Sequence, residues 1–581
     1  MENYAVRDGE LASKNADLAV YPPLLQELLM ARGITTREEA EKFLNPDYVR
    51  DTHDPFLMKN MDRVVDRIIS AINSGEKIII YSDYDADGIP GAVVLHDTFK
   101  KLGFKNFENY IPDRHEEGFG LNTSAVEEFA RSGANLIITI DCGIADNLPV
   151  ARAVELGMDV IITDHHEPNG ELPKAYAILN PKQVNCNYPE KVLCGAGVVF
   201  KLVQAILEKK GLIKKESGEM GVDIKNGWEK WLLDMVGLAT LSDMVPLLGE
   251  NRAFAYYGLK VLRISPRVGL MKLLRKVNAN QRYVTEDDIG FTISPRINAA
   301  SRMGVPMSAF TLLSTSSEVE AGQLADHLNK INDERKGAVA SIVKEVRKKI
   351  EERGATEALR EIIVMGNPKW RPSLLGLVAN SLKDDHSRPV FLWGREGGSV
   401  IKGSCRSDGS VSVVELMESV KESFVVFGGH AFSGGFSVDH EKIHNLEENL
   451  IVAYKKIMEK GAPAKEKIRI DKKITLEDVT WDTYKLVEKL SPFGVGNPKP
   501  VFLFENVEVF EIKQFGKEKN HMELVFADKN GRNVSAISFF SKPADFSVIP
   551  KKGEKISLIA SLEKSVFMNK IDLRLRIVDV V

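Results

Sequence analysis

The sequence predicts an α/β protein with a parallel sheet covered on both faces, a long connecting helix, a second α/β unit and a small C-terminal β-barrel or sandwich. Short apolar runs alternate with amphipathic helical stretches from residue 60 to 166, as in βαβ units. A charged segment with helical periodicity covers residues 324–354. From residue 465 onward, short strand-like runs are separated by Gly, Lys and Asn turns, which indicates a small antiparallel barrel or sandwich.

Each element follows from its local pattern. Residues 20–50 favour a helical segment with a turn at 32–34. Three buried strands are expected at 77–83, 135–141 and 158–166, followed by a mostly helical region over 195–310. The thirty-residue helix that follows is long enough to connect two domains. We therefore expect five regions, with bounds 1–55, 56–315, 316–355, 356–462 and 463–581.

Composition restricts the class of protein. The 581 residues are 44% hydrophobic and 28% charged, which is typical of a globular chain and excludes a disordered or collagen-like one. No apolar run reaches the ~18 residues that cross a bilayer, so no membrane association is expected. The polar N-terminus resembles neither a secretory signal nor a transit peptide. The four cysteines, Cys142, Cys186, Cys194 and Cys405, lack the spacing of a structural zinc site or a disulfide framework. We expect a cytoplasmic protein.

Charge is unevenly distributed along the chain. The net charge is −4, yet residues 461–581 carry 21 Lys and Arg against 17 Asp and Glu. The acidic excess therefore lies in the first 460 residues. This asymmetry would suit a basic binding module attached to an acidic body.

Acidic residues and histidines follow all three predicted N-terminal strands. They are Asp83, Asp85 and Asp87 after the first, Asp141 after the second, and Asp164, His165 and His166 after the third. Because the carboxyl ends of parallel strands share one edge of the sheet, these side chains should converge on one cleft. So many carboxylates need cations to neutralise them, and oxygen-rich ligands with imidazole suit Mn²⁺ or Mg²⁺. Two such ions are the usual device for hydrolysis of phosphate esters.

Each of these motifs also has a simpler interpretation. A single Asp after a strand is often a turn residue or helix cap, and paired histidines alone are often structural. The DxDxDG pattern resembles a calcium loop, but Val93 and Val94 stand where an EF-hand needs its Glu. The Gly-Ala-Gly at 195–197 does not satisfy a dinucleotide-binding pattern, and there is no Walker A sequence. Three strand ends with the same chemistry favour a metal cluster.

Motifs along the chain resemble the DHH phosphoesterase superfamily and, within it, the RecJ exonucleases. DYDADG, DCG and DHH resemble the first three DHH motifs, and Asp243 in GLATLSDMVPLLGENR resembles the fourth. SPRINAASRMG at 294–304 is similar to a RecJ motif, GSCRS at 403–407 and GGHAFSGG at 428–435 to DHHA1 segments, and SPFGVGNPKPVF at 491–502 to the start of an OB domain. The resemblance identifies 56–315 as a DHH domain, 316–355 as a connector helix, 356–462 as a DHHA1 domain and 463–581 as an OB-like nucleic-acid-binding domain.

The resemblance implies a role for each motif residue. Two Mn²⁺ or Mg²⁺ ions would be bound by Asp85, Asp87, Asp141, His165 and Asp243. Asp83, Asp164 and His166 would be catalytic, with Asp164 orienting the imidazoles. Substrate phosphates would be bound by Arg296, Ser404, Arg406, Gly428, Gly429 and His430, although a structural ion pair is an equal alternative for Arg296. In the OB-like domain, Lys513, Lys517, Lys519, Lys551, Lys552 and Lys555 lie near Phe510, Phe515 and Phe567, a mixture that suits single strands.

The resemblance further implies a single-stranded-DNA-specific exonuclease that degrades 5′→3′ to mononucleotides in DNA repair and recombination. Single-stranded-DNA-binding protein and a RecQ-type helicase are expected partners. An oligoribonuclease or cyclic-dinucleotide phosphodiesterase of the same superfamily is the enzymatic alternative, although those typically lack the C-terminal barrel. A non-catalytic replisome scaffold is the other alternative, and the complete set of motif positions argues against it.

Overall fold

The chain is described from a computed structural model. It describes residues 4–7, 16–168, 170–214, 218–354, 360–395, 400–459, 467–516, 519–567 and 570–581. Among these residues, no helix combines the length and hydropathy needed to cross a membrane.

The N-terminal segment forms one strand and three short helices. They are β1 (Tyr4–Val6), α1 (Pro23–Met30), α2 (Arg37–Leu44) and α3 (Tyr48–Asp51). The turn predicted at residues 32–34 separates α1 from α2, and Gly33 adopts a left-handed conformation there (φ 76°). Thr36 and Glu39 form a reciprocal capping box at the start of α2, which satisfies N–H groups that the helix itself leaves free.

The first α/β unit is a five-stranded, fully parallel sheet in the order β3-β2-β4-β5-β6. Its elements are α4 (Met61–Ser74), β2 (Ile78–Ser82), α5 (Gly88–Lys101), β3 (Phe107–Tyr110), α6 (Thr123–Arg131), β4 (Leu136–Ile140), α7 (Asn147–Glu155), β5 (Asp159–Thr163) and β6 (Ala177–Leu179). All residues of β2 and β4 are buried, because helices cover both faces. The three predicted strands are confirmed as the sheet's centre, and β3 and β6 are additional edge strands.

The region predicted to be mostly helical packs against this sheet. Its helices are α8 (Gly195–Glu208), α9 (Leu233–Ser242), α10 (Gly249–Leu262), α11 (Val268–Lys276), α12 (Glu286–Asp288), α13 (Ser294–Arg302) and α14 (Pro306–Ser314). A π-helical turn, Ile289–Ile293, leads directly into α13. Helices α8 and α9 contact α5, so they lie beside the strand ends.

The long charged segment is a single helix, α15 (Glu318–Gly354). It contacts α11, α13 and α14 near its start and α16 of the following unit near its end. That unit comprises β7 (Ile363–Gly366), α16 (Pro372–His386), β8 (Val390–Gly394), β9 (Ile401–Arg406), α17 (Val413–Ser419), β10 (Val426–His430), β11 (Ser433–Val438) and α18 (Leu446–Glu459). Its strands form a mixed sheet in the order β10-β11-β9-β8-β7.

The C-terminal strands close into a barrel. After β12 (Ile468–Ile470), β13 (Lys472–Lys473) and α19 (Trp481–Glu488) come β14 (Phe502–Phe515), β15 (His521–Ala527), β16 (Asn533–Phe539), β17 (Lys555–Phe567) and β18 (Lys570–Val580). Strand β14 pairs with both β15 and β17, which closes the sheet. The sequence predicts an antiparallel arrangement, but β18 runs parallel to β16, because β18 turns back from β17 and fills the gap beside β16.

The two ends of the chain share one hydrophobic core. Apolar side chains of α1 and α2, including Leu25, Leu28 and Leu29, pack in one cluster with barrel residues such as Phe502 and Phe504. Strand β1 pairs in parallel with β12. The N-terminal segment is therefore structurally part of the C-terminal unit, a contact that no local pattern indicates.

Candidate metal centre

The acidic strand ends meet at the carboxyl edge of the parallel sheet. Asp83, Asp141 and Asp164 immediately follow β2, β4 and β5, which are neighbours in the sheet. Each continues the ladder through its backbone: Asp83 N–H donates to Ile140 O at 3.0 Å and Asp141 N–H to Thr163 O at 2.9 Å. The three side chains therefore start from adjacent positions on one edge.

The loop after β2 is shaped by its own carboxylates. Asp85 Oδ1 accepts from the backbone N–H groups of Asp87 (2.8 Å) and Gly88 (3.1 Å) and so caps α5. Thus Asp85 also performs the capping role that was the alternative interpretation, and its second oxygen remains for another partner. Asn298 Oδ1 accepts from Ala86 N–H at 2.8 Å, which ties the loop to α13.

Asp87 is held by the N-terminus of α8. Its Oδ2 accepts from Gly195 N–H at 2.6 Å and its Oδ1 from Ala196 N–H at 2.8 Å. Helix N-termini favour negative charge, and each carboxylate oxygen keeps a second lone pair. The Gly-Ala-Gly segment that fits no dinucleotide motif thus supports a candidate ligand.

Asp141 also packs tightly against the N-terminus of α8. It has the left-handed backbone conformation (φ 59°), which Asp tolerates better than most residues. A Cβ on Gly195 would lie 2.6 Å from Asp141 Cβ, so only glycine fits there. Asp141 Oδ1 and Asp83 Oδ1 are both buried and accept no hydrogen bond.

Asp164 orients the two histidines. Its Oδ1 accepts from the backbone N–H groups of His165 (2.7 Å) and His166 (3.0 Å) and lies 2.7 Å from His166 Nδ1. Its Oδ2 accepts from Ile144 N–H at 3.0 Å. All of these contacts fix the loop after β5, so Asp164 supports the histidines and faces them rather than the cleft.

His165 and Asp243 complete the cluster. His165 Nε2 lies 3.0 Å from Asp141 Oδ1 and 3.7 Å from Asp87 Oδ2. Its Nδ1 lies 3.7 Å from Asp243 Oδ2. Asp243 comes from outside the sheet, at the C-terminal end of α9, so the packing of α9 against α5 and α8 brings it to the strand ends.

The cluster offers two separate ligand groups and a third that bridges them. Side-chain ligand atoms lie within 4.8 Å of one another in the set Asp83, Asp85 and Asp141, and in the set Asp87, His165 and Asp243. The bridging set, Asp141, His165 and His166, shares one residue with each of the others. The unpartnered oxygens of Asp83 and Asp141 need a positive partner, because a buried carboxylate without one is costly. The 3.0 Å between His165 Nε2 and Asp141 Oδ1 matches neighbouring ligands around an octahedral ion with bonds of about 2.1 Å. The residues fit divalent cations with a preference for oxygen.

Without cations the carboxylates resist ionisation. Burial, followed by repulsion from Asp85, raises the pKa of Asp87 to about 7. Burial, followed by repulsion from Asp87, raises the pKa of Asp243 to about 9. Burial, followed by repulsion from His166, lowers the pKa of His165 to about 4, which keeps it neutral as a ligand must be. Burial lowers the pKa of His166, but its hydrogen bond and attraction to Asp164, together with attraction to Asp243 and Asp87, outweigh burial and raise that pKa to about 9.

Most of the predicted substrate residues lie side by side in the second sheet. Arg406 pairs with Ser433 and Ser404 with Gly435 between β9 and β11. On the other side of β11, His430 pairs with Ser433 and Gly428 with Gly435. Gly429 (φ 143°) must be glycine, because a Cβ would lie 2.3 Å from Ser433 O. The sheet therefore joins two motifs separated by more than twenty residues.

Arg296 is turned away from the strand ends. Its Nη1 donates to Thr292 O at 2.7 Å, while Nε and Nη2 donate to Asn329 Oδ1. Three of its five N–H donors are therefore used, two of them to join α13 to α15. Among the described residues Arg296 forms no ion pair, which was the alternative role. Its hydrogen bonds nevertheless fit a structural role.

Four other arginines lie close to one another where α13 meets α16. Arg302 Nη1 donates to Ser373 O at the start of α16. Burial and the guanidinium groups of Arg114, Arg335 and Arg406 lower the pKa of Arg302 to about 9. Arg335 Nε is buried without a hydrogen-bond partner. A half-buried group of like charges with an unpartnered donor is suited to binding an anion.

Sequence reasoning missed several residues of this site. Gly195, Ala196 and Asn298 support the acidic loop, and Arg114, Arg302 and Arg335 join Arg406. Two signals were visible: the Gly-Ala-Gly spacing, since closely spaced glycines often mark a close approach of backbone, and the motif at 294–304, which contains Asn298 and Arg302. The added arginines come from the first α/β unit, α13 and α15, and only folding brings them together.

Three family models match the chain. They are the DHH family N-terminal domain at residues 77–236, the DHHA1 domain at 359–457 and the RecJ OB domain at 470–579. The chain is 35% identical over 94% of its length to the single-stranded-DNA-specific exonuclease RecJ of Bacillus subtilis (strain 168), of which it spans 66%. It is 30% identical over 88% of its length to the protein of that name from Haemophilus influenzae, of which it covers 88%.

Solved structures agree with the architecture. The crystal structure of RecJ in complex with Mn²⁺ from Thermus thermophilus is similar over 100% of this chain and 79% of that chain, with a TM-score of 0.80 at 24% identity. The crystal structure of exonuclease RecJ bound to manganese matches 68% of this chain and 95% of that chain, with a TM-score of 0.57 at 29% identity.

Proposed function

Because the chain belongs to the RecJ family of DHH phosphoesterases, we propose that it is a single-stranded-DNA-specific exonuclease that releases mononucleotides from the 5′ end. It is a metal-dependent phosphodiesterase. The observation that carries the proposal is the pair of buried, unpartnered carboxylate oxygens on Asp83 and Asp141, which lie among further acidic and imidazole ligands at the strand ends. The 5′ polarity is taken over from the family resemblance.

Divalent cations, Mn²⁺ or Mg²⁺, fit the two ligand groups. One would be held by Asp83, Asp85 and Asp141, and the other by Asp87, His165 and Asp243, with Asp141 close enough to serve both. Bound there, two cations lower the pKa of a bound water and stabilise charge on phosphate oxygens. The protein's contribution is to hold these ligands at fixed positions through the α8 N-terminus and the backbone ladder.

His166 offers a proton donor beside this centre. In the metal-free protein, despite burial, its contacts with Asp164 and the charges of Asp243 and Asp87 raise its pKa to about 9, and its side chain is 43% exposed. Its Nδ1 is engaged by Asp164, so Nε2–H remains to donate to a phosphate oxygen or to the leaving 3′-oxygen. Asp164 thus acts as a positioning residue for His166.

The four arginines near the contact of α13 with α16 suit the phosphates of a single strand. Arg114 comes from the first α/β unit, Arg302 from α13, Arg335 from α15 and Arg406 from the second sheet. Guanidinium groups bind phosphate through several parallel hydrogen bonds. Ser404, Gly428, Gly429 and His430 line the adjacent strands and would contact the terminal nucleotide.

The barrel offers an aromatic surface for unpaired bases. The rings of Phe515, His521, Phe539 and Phe540 contact one another with centroids 4.8–6.3 Å apart, and the Arg576 guanidinium lies 4.3 Å from the Phe539 ring centre. Phe540 is 80% exposed. Lys513, in contrast, is paired with Glu511 at 3.0 Å. Lys517 and the side chain of Phe567 lie outside the described residues.

Base stacking and charge at this surface can be tested separately. Phe540→Ala should weaken binding of a long single strand by about 1–3 kcal/mol, the range for one stacked base, without changing the salt dependence. Arg576→Ala should flatten the slope of log affinity against log salt by about 0.7. Fluorescence anisotropy over a salt series measures both, and parent-like affinity of the Phe540→Ala variant would exclude stacking there.

Partners follow from the proposed activity, and location follows from the cysteines. An enzyme that trims single strands needs a helicase to supply them, so a RecQ-type helicase and single-stranded-DNA-binding protein are proposed partners. The cytoplasm is the proposed location, because the four cysteines lack the spacing of a disulfide framework.

The deciding experiment compares labelled substrates. Purified protein with Mn²⁺ is incubated with 5′- and 3′-labelled single-stranded DNA, with RNA of the same sequence and with blunt duplex. The proposal expects early release of 5′ label from single-stranded DNA and resistance of the duplex. Equal rates on duplex, or early release of the 3′ label, would refute it. Preference for RNA would favour an oligoribonuclease.

A further inference from the structure

A loop of the C-terminal unit rests on the segment that carries Asp243. This docking loop, residues 491–498, lies between α19 and β14. Leu247 N–H donates to Val495 O at 2.8 Å. A Cβ on Gly494 would lie 2.8 Å from Leu247 Cδ1. A side chain on residue 494 would therefore force the Leu247 side chain to move.

The docking loop has a fixed shape of its own. Gly494 and Asn497 exchange two backbone hydrogen bonds of 2.9 and 3.1 Å. The buried Asn497 donates through Nδ2 to Leu490 O and Pro492 O, both at 2.8 Å. Its Oδ1 accepts from Arg32 Nε at 2.7 Å. These bonds fix the shape of the loop, so the Val495 carbonyl is held in position to accept from the Leu247 N–H group.

The body of the protein holds the docking loop with a buried cation. Arg252 of α10 donates through Nη2 to Leu490 O (3.0 Å) and Ser491 O (2.9 Å) and through Nε to Phe43 O (2.9 Å). Burial, followed by repulsion from Arg32, lowers its pKa to about 9. Undocking would leave several of its N–H groups without acceptors, which is costly for a charged group.

The opposite side of the same segment touches the support of Asp87. Val245 packs in a small cluster with Cys194, Ala196 and Ala239. The Ala196 N–H group is one of the two that hold Asp87. Residues 243–248 are therefore enclosed between the start of α8 on one side and the docking loop on the other.

We infer that the docking loop is a positioning element of the metal centre, and that cation binding is thermodynamically linked to docking of the C-terminal unit. The inference rests on the proposed function only in requiring that the centre bind cations. Docking restricts the backbone conformations open to residues 243–248, and it therefore restricts the positions that the Asp243 carboxylate can occupy. Linkage is reciprocal: if docking tightens cation binding, a bound cation tightens docking.

Two measurements on the full chain test this linkage. The first is hydrogen exchange of the docking loop with and without saturating Mn²⁺. The Gly494 and Asn497 amides, far from Asp243 in sequence, should exchange more slowly with Mn²⁺. The second is calorimetric Mn²⁺ binding to Gly494→Val, whose side chain meets Leu247, and to Asn497→Ala. Both should bind Mn²⁺ about fivefold or more weakly, the lower range of coupling between linked sites.

Lys472→Ala is the matched control. Lys472 pairs with Glu27 of α1 at 2.7 Å within the C-terminal unit, so its loss disturbs that unit without touching residues 243–248. It should bind Mn²⁺ as the parent does. Exchange at Gly494 and Asn497 that is unaffected by Mn²⁺ would overturn the inference, as would parent-like Mn²⁺ affinity in both loop variants. Linkage in a protein that cleaves no DNA would instead refute only the proposed activity.

Discussion

Replacing Gly195 by alanine tests whether the α8 N-terminus sets the geometry of the metal centre. The variant keeps every candidate ligand and every backbone N–H group. It adds one methyl group at a point where a Cβ would lie 2.6 Å from Asp141 Cβ and 2.8 Å from Asp141 Oδ1. Gly197, two residues along the same helix, is the matched control, because its Cβ would meet nothing closer than Cys194 Sγ at 3.5 Å.

The expected loss follows from the overlap. Carbon atoms pack at about 3.5 Å, so Asp141, Gly195 or both must move by nearly 1 Å in total. A displacement of that size at a catalytic constellation costs on the order of 100-fold in rate, equivalent to about 2.7 kcal/mol. Gly197→Ala should retain nearly full activity and gain helix stability of up to about 1 kcal/mol.

The assay is release of 5′ label from a single-stranded oligonucleotide at several Mn²⁺ concentrations, with thermal unfolding to show that both variants fold. Gly195→Ala should lose kcat/KM by roughly 100-fold and should need more Mn²⁺ for half-maximal rate. Parent-like activity of Gly195→Ala would refute the argument, and so would an equal loss in Gly197→Ala, because the loss would then not arise from the contact with Asp141.

Three further predictions concern stability. In the metal-free protein, the pKa of Asp243 is raised from 3.8 to about 9, so the folded state keeps a proton that the unfolded state releases, and stability falls as pH rises from about 4 towards 9. The rise in Tm on adding Mn²⁺ should thus be greater near pH 8 than near pH 6, and equal rises would contradict this. Glu250→Ala leaves the buried Lys201 ammonium, 3.1 Å from Glu250 Oε1, without its carboxylate, so urea unfolding should show a loss of about 3–5 kcal/mol; a loss below ~1 kcal/mol would contradict the ion pair's role. A fragment covering 1–459 exposes the apolar faces of α1 and α2 and should aggregate in light scattering, whereas 46–459 should remain monomeric, and equal behaviour would contradict the shared core.

Local patterns sufficed for the elements and for most of the cleft. The buried runs ending at Asp83, Asp141 and Asp164 predict a parallel sheet, and in any parallel sheet those ends share one edge. The helix over 324–354 and the β-rich C-terminal region follow from periodicity in the same way. Asp243 was assigned only through the family motif, because it follows a helix and nothing in its immediate sequence points to the strand ends.

Contacts between distant segments were decided by the tertiary structure. Periodicity reports which face of one element is buried, but it does not report what that face meets. Asp87 is held by N–H groups of α8, the Asp243 segment is enclosed by a loop of the C-terminal unit, and α1 completes the barrel core. Arg296, which the motif assigns to phosphate, is instead engaged by Asn329. These partners are separated by tens to hundreds of residues, and their positions depend on how whole units pack, so no single stretch of sequence contains the signal.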